Sequence, residues 1–437
     1  MAKTLKVDIT AISPLNIGGK KPYGHFLETL DYIPGSVARG AFAKLLMTSN
    51  RKLFDKLFVE SQDVIRFGNF YPKSPLDVPD IPLVLPMTAV SCKYESGFCT
   101  GYDELEDETE KPPHGVFDIL IMELIFEHFG EQLPFAYQPI CPKCGARVEP
   151  FAGYYDAAPS RFSERSPSDC KPNNNEFYQT KFKCSKGSCL RSYQQHECRT
   201  QRVTKSAINR QRNVVEEEML YSVEAIRPDT DFSGIVTISD DNLVEEIKQH
   251  LNLLNQSKLG SGGSRGFGKI EITNIRDYNL DSTDELKARI LAFNRKIDEV
   301  AESYQVFLKE PLHLKKWYFT IGFQSDAIIL DEFGRSSPIL TSEKLKELLC
   351  LPDVKICLKR YYSRMSERGG WSFAWNLLKE KEAVLEKGSV FLFWTPDIES
   401  LYEPLARLQI NGVGEKREEG LGQIIVCDAF HQEVYCS

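Results

Sequence analysis

Two stretches of the chain repeat one pattern in one register, and this duplication limits the fold more than any other feature. SGIVTIS (233–239) alternates as a strand does. Asp240, Asp241 and Asn242 end it, and Leu243, Val244, Ile247, Leu251 and Leu254 then follow at helical spacing. The Gly-rich stretch LGSGGSRGFG (259–268) comes next, and then the strand KIEITNI. In the second copy GSVFLFWT (388–395) is the strand and Pro396 with Asp397 starts the helix. Ile398, Leu401, Tyr402, Leu405 and Leu408 form its apolar stripe, followed by NGVGEKREEGLG (411–422) and the strand QIIVCDA. Gly234 to Gly268 covers 34 positions (268 − 234), and so does Gly388 to Gly422 (422 − 388). One strand–helix–strand is common; two in one register point to an internal repeat.

Each copy also has an opening strand. Leu5, Val7, Ile9 and Ala11 alternate in the first, and Trp317, Phe319, Ile321 and Phe323 share a face in the second. Strands at both ends with helices between them predict an α+β fold of two ferredoxin-like (RRM-like, βαββαβ) domains. The first copy runs 263 positions from Leu5 to Gly268 and the second 105 from Trp317 to Gly422, so the first carries a large insertion. The expected organisation is a first domain over 1–280 with a cysteine-rich insertion at 85–205. A charged helical connector at 281–309 and a second domain over 310–437 follow. VFDILIMELIFEHF (116–129) is too short for a membrane span, which needs about 20 apolar residues, and reads as a buried helix. With no apolar segment in MAKTLKVDIT, a cytoplasmic protein is expected.

Of the 12 cysteines, eight fall between Cys92 and Cys198, where a cytosolic chain is expected to hold a metal in preference to disulfides. Cys141 and Cys144 form CPKCG, a zinc-knuckle turn, and Cys184 and Cys189 form a second pair in KCSKGSCL. Four thiolates would close a structural Zn2+ site, with Cys92, Cys99, Cys170, His196 and Cys198 as alternative ligands.

The net charge of −8 argues against a free-standing nucleic-acid binder, so any RNA surface must be local. IPGSVARG (33–40) reads as a turn and a helix start, with Ser36 as N-cap and Arg39 in the first turn. Such a start presents free N–H groups and positive partial charge, which suit a phosphate. Gly260, Gly262, Gly263, Gly266 and Gly268 let successive amides form an anion-binding nest, with Arg265 and Lys269 adding charge. Lys416 and Arg417 lie in the second loop. Neither loop fits a dinucleotide fingerprint or a Walker loop, since each leads into a strand and lacks GK[ST]. RTQRVTKSAINRQR (199–212) is a local basic run carrying Arg202, Lys205 and Arg210, ending at Glu216 to Glu218. Catalytic signals are thin: His25 is the one histidine placed as an acid or base near the helix start, and Asp326 has no supporting spacing.

SPLNIGG, YIPGSVARGAFA, SAINRQRNVVEEEMLYSVEAI and LGSGGSRGFGKIEI together resemble the RAMP superfamily of CRISPR-associated proteins. PMTAVSCKYESGF and CPKCG are similar to the RAMP subunit of type III-D systems, the Csx-ten, Cas-five-like family. The second half departs more, keeping part of the glycine loop and no IPGS counterpart. The resemblance implies a non-catalytic subunit that binds CRISPR guide RNA within a type III effector complex, caps its 5′ handle and serves antiviral defence. The large polymerase-type subunit would be a neighbour and target RNA an indirect partner. Ser36, Arg39 and Gly40 match the family's helix-start contact, and Gly260 to Gly268 its glycine loop. The rival readings are a metal-independent endoribonuclease of repeat RNA using His25, a backbone subunit cutting target RNA through Asp326 or the acids at 102–109, and a zinc-stapled scaffold touching only proteins.

Overall fold

In a computed structural model, the described residues are 3–18, 26–61, 63–73, 81–98, 113–129, 133, 136–158, 192–196, 198–209, 214–279, 282–307, 316–372 and 377–434. The first copy is built from β1 (Lys3–Ala11), α1 (Gly35–Ser49), β2 (Ile65–Phe67), β3 (Asp231–Ile238), α2 (Val244–Asn252) and β4 (Ile270–Tyr278). Its strands lie in the order β4-β1-β3-β2, antiparallel throughout, with Tyr71–Pro72 extending the β3 edge. Leu5, Val7, Ile9 and Ala11 are buried as expected, against Phe42, Leu46, Ile247 and Leu251 of α1 and α2, but Lys6 and Asp8 on the polar face are buried as well, Asp8 pairing with Lys73 at 3.2 Å. All five apolar residues of the predicted stripe from Leu243 to Leu254 are buried.

After α3 (Thr283–Ser303), the second copy holds β5 (Trp317–Phe323), α4 (Ser342–Leu349), β6 (Cys357–Tyr362), β7 (Val390–Thr395), α5 (Tyr402–Asn411) and β8 (Ile424–Val426). The order is β8-β5-β7-β6, again antiparallel. Numbered within each copy, both sheets therefore run fourth, first, third, second. Ser282 caps α3 in a reciprocal capping box with Glu285. The helix read as a charged connector buries Leu286, Ile290, Phe293, Ile297 and Val300 in the second core. Arg289 reaches into the same copy, its Nε donating to the Val426 carbonyl at 3.0 Å, while Asp284, Glu285, Arg295, Asp298, Glu299 and Glu302 are exposed.

In both copies the link between the second and third strands leaves the sheet. In the second copy it is a hairpin, Met365–Ser372 with Leu377–Leu385. In the first copy it is the long insertion, which ends in the hairpin Thr200–Asn209 with Val214–Ile226. The apolar run at 116–129 divides: Val116–Asp118 is a strand and Leu120–Phe129 the helix. Asp118 accounts for the break, since its Oδ1 accepts from the Leu120 amide at 2.7 Å. This insertion helix shares a core with Tyr318, Phe319 and Leu392 of the second copy. Three ion pairs add to the contact: Lys359–Glu127 at 2.6 Å, Arg360–Glu127 at 3.1 Å, and Arg360–Glu123. An insertion in the first copy thus covers a sheet face of the second, which is why nearly every residue of β5 is buried.

Candidate functional site

The helix start lies where the two halves meet. Pro34 occupies the N-cap position and offers no side-chain cap, so the expectation that Ser36 caps α1 is corrected. The Gly35 amide donates instead to Asn69 Oδ1 at 2.9 Å, and the Asn69 amide donates to Gln423 Oε1 at 3.1 Å. Released from capping, the Ser36 hydroxyl accepts from Arg368 Nη2 at 3.2 Å. Arg368 comes from the hairpin of the second copy, and no spacing in the sequence brings it to this helix. Gly35 is required by contact: a Cβ there would sit 2.1 Å from the Phe67 carbonyl and 2.8 Å from that of Glu419.

Arg39 follows one turn later, its guanidinium 4.8 Å from the Phe58 ring centroid. Burial pulls its pKa down, while Glu418 and Glu419 act the other way. Arg39 Nε and Arg368 Nη1 are both buried without a hydrogen-bond acceptor among the described residues. A buried donor left unpaired costs about 1–3 kcal/mol. An acceptor entering beside either group would satisfy it, and the Arg368–Ser36 contact ties one of the two directly to the helix start. Gly40 is exposed, with open space where a Cβ would be.

The two glycine loops share one backbone. Gly260, Gly262, Gly266 and Gly268 have φ of 76°, 75°, 87° and 91°; Gly414, Lys416, Gly420 and Gly422 have 86°, 55°, 89° and 69°. The offset is constant at 154 positions (414 − 260), and a 3-10 turn fills the middle of each loop, Gly263–Arg265 and Arg417–Glu419. Lys416 adopts a left-handed conformation that ordinarily favours glycine, with its ammonium 2.5 Å from Glu382. The second loop therefore keeps the conformation that its residues only partly advertise.

Their surroundings differ. Gly420 lies against Phe67 and Asn69 of the first copy, where a Cβ would meet the Phe67 carbonyl at 2.8 Å, so the second loop is part of the junction between halves. In the first loop Ser264, Arg265 and Gly266 are exposed. Three sequence-distant segments converge there. The Ser261 amide donates to the Asn16 carbonyl at 2.8 Å, and Asn16 Nδ2 donates to the Glu224 carbonyl at 2.7 Å. SPLNIGG is thus clamped between the glycine loop and the root of the hairpin that carries the basic run. A Cβ on Gly260 would lie 2.3 Å from the Asn16 carbonyl. Arg202 is exposed on the strand Thr200–Asn209, which also contains Lys205. Arg210 and His25 lie outside the described residues.

A second cluster occupies the insertion. Cys92, His114, Cys141 and Cys144 place their ligand atoms within 4.8 Å of one another. Cys92 ends the strand Ala89–Cys92, and the CPKCG turn is closed by the Gly145 amide donating to the Cys141 carbonyl at 2.8 Å. Burial raises the Cys92 thiol, but the Glu95 and Tyr94 amides outweigh it and the net shift is downward. Burial pushes Cys141 up to about 11, against the Cys144 and Lys143 amides. Amides aimed at sulfur in two turns make a thiolate-binding frame. The sulfurs of Cys92 and Cys144 are 3.6 Å apart, and Cys141 Sγ lies 3.3 Å from His114 Nδ1. A tetrahedral ion with the usual Zn–S and Zn–N bonds needs about 3.8 Å and about 3.6 Å. The four groups can hold a metal ion.

Cys141 and Cys144 are brought together as expected, and Cys92, one of the alternatives, joins them. His114 was missed; its only signal is a lone histidine in the Pro-Pro-His-Gly turn. Cys184, Cys189, Cys99 and Cys170 lie outside the described residues. Cys198 stands apart, packed on the first core with its thiol pushed up to about 12 by burial and then by Asp31 and Glu224. His196 is buried on the strand Ser192–His196. Asp326 supports a turn, accepting from the Lys387 amide at 3.0 Å. No helix among the described residues is long and apolar enough to cross a membrane.

Residues 8–271 match the family model of the RAMP superfamily. No curated protein matches the sequence. Among solved structures, the chain is similar to one in the cryo-EM structure of the type III-B Cmr-beta bound to cognate target RNA. Identity is 12%, coverage 89% of this chain and 86% of that one, and the TM-score 0.38. It is also similar to a chain of Cmr-beta in the apo state, at 14% identity, 63% and 98% coverage and a TM-score of 0.30.

Proposed function

Taking as premise that the chain belongs to the RAMP superfamily, we propose that it is a non-catalytic, RNA-binding structural subunit of a type III CRISPR effector complex. The observation that carries this reading is the pair of buried, unsatisfied guanidinium donors, Arg39 Nε and Arg368 Nη1, beside Ser36 at a helix start. A phosphodiester supplies the missing acceptors, and the exposed first glycine loop with Arg265 offers a second grip through amides and charge. These contacts take hold of the backbone without reading sequence. The shared strand order supports reading the two sheets as ferredoxin-like domains.

In its finer form the proposal is a type III-D-like subunit that caps the 5′ handle of the guide RNA beside the large polymerase-type subunit. Its place of action would be the cytoplasm. An ion held in the insertion would be Zn2+ by donor chemistry, since three thiols and one imidazole would fill four positions and leave none open for catalysis. Its role is to fix the insertion that joins the two halves.

The test is RNA retention by the tagged, co-purified assembly. Arg39→Ala and Arg368→Ala should each lower the RNA recovered per protein several-fold, with melting temperature unchanged or raised, because an unsatisfied buried donor is removed. Unchanged RNA occupancy in both variants contradicts the assignment.

A further inference from the structure

The far end of the second sheet carries an unneutralised cationic cluster on an aromatic ring. Lys316 Nζ lies 4.3 Å from the Trp394 ring centroid and Lys355 Nζ 5.4 Å from it. They come from different places: Lys316 precedes β5, Lys355 precedes β6, and Trp394 is on β7. Trp394 and Cys357 are register partners, so tight sheet pairing places the three groups together. Lys359 on β6 and His128 at the C-terminal end of the insertion helix adjoin them. Burial lowers the His128 pKa first, and then the Lys359 and Lys316 charges lower it further.

Within the cluster, among the described residues, Lys359 is ion-paired and Lys316 and Lys355 are not. Glu127 is bound to Lys359 and Arg360. Neither Lys316 nor Lys355 has a carboxylate within ion-pair distance among the described residues, although Asp353 and Asp397 are close in sequence. Trp394 is half-buried, so the ring is held in place while part of it meets solvent. In a chain of net charge −8, two ammonium groups converging on one ring with no ion-pairing carboxylate among the described residues are unusual. Cation–π contact offsets only a part of their mutual repulsion. A polyanion with flat bases would do more, with phosphates on the ammonium groups and a base on the indole. Single-stranded nucleic-acid surfaces are built this way.

The geometry points to a second RNA contact at Trp394, Lys316 and Lys355, on the opposite sheet from β1 and specific for unpaired, single-stranded RNA. It rests on the reading of the chain as an RNA-binding subunit but uses none of the residues of the helix start. A fluorescein-labelled oligouridylate is titrated into the full chain and followed by anisotropy, with tryptophan emission recorded in parallel. Lys316→Glu with Lys355→Glu should weaken binding about tenfold and reduce the slope of log affinity against log salt by about 1.4, two contacts at about 0.7 each. Lys316→Arg with Lys355→Arg should restore both. The emission change on binding should shrink in Trp394→Phe.

Unchanged affinity and slope in the glutamate pair overturn the contact, and leave the helix-start reading to stand or fall on Arg39 and Arg368. Loss of a co-purifying protein with RNA binding intact also overturns it and makes the patch a protein interface. A wild-type chain that binds no oligonucleotide overturns both.

Discussion

Arg39 and Arg368 reach one helix start from opposite halves of the chain, and only one of them was legible in the sequence. Arg39 sits in a recognisable helix-start motif. Arg368 arrives through tertiary packing of a hairpin, which local pattern does not encode. Ser36 shows the same limit: it has the right chemistry for an N-cap, but Pro34 takes that place and Asn69 satisfies the first amide from across the sheet. The metal cluster was half legible, because CPKCG carries its spacing locally while Cys92 and His114 are brought in by strand pairing. His114→Ala or Cys144→Ser should lower bound zinc from about one equivalent to well below half, measured by elemental analysis after gel filtration. A wild-type chain free of zinc would refute the site. The buried pair His431–Asp118, at 2.9 Å, makes a separate prediction. Burial disfavours the imidazolium, but the Asp118 charge and hydrogen bond, with Asp428, outweigh this and raise the His431 pKa. A raised folded pKa means that this stabilisation is complete below the unfolded value of about 6.5 and is lost as pH rises through the folded one. Melting temperature should therefore fall as pH climbs above about 6.5, and Asp118→Asn should flatten that fall. An identical pH slope in the variant would exclude the pair as its source.

At the scale of elements, the repeated closing units were read correctly because periodicity and glycine position are local signals. Both stripes, Leu243 to Leu254 and Ile398 to Leu408, are buried as predicted. What the sequence concealed is that equal loops have unequal roles. The first loop bears Ser264 and Arg265 in solvent; at the matched positions the second bears Glu418 and Glu419, beside Arg39. The helix Leu120–Phe129 was recognisable as buried, but not as belonging to the core of the other copy. That allegiance makes a sharp prediction. Leu124 is 1% exposed, and Leu124→Ala should destabilise the protein by about 2–5 kcal/mol. Because the core is shared, the loss should appear as a lower midpoint of one unfolding transition. A second transition splitting from the first, with the second copy unmoved, would show the insertion to be an independent body.

On the scale of the whole molecule, each half completes the other. The insertion of the first copy covers the second sheet, and the glycine loop of the second copy closes the helix start of the first. The motifs quoted for the family resemblance meet at Asn16 and at that helix start. The negative overall charge fits the proposed subunit, in which a confined RNA surface would leave the rest to meet other proteins. The most direct test of the central claim is to tag the protein in its host, purify it gently and sequence the RNA that accompanies it. The expected result is small RNAs with a common repeat-derived 5′ end, recovered together with several other proteins. Protein recovered without RNA, or with RNA of no common end, would contradict it.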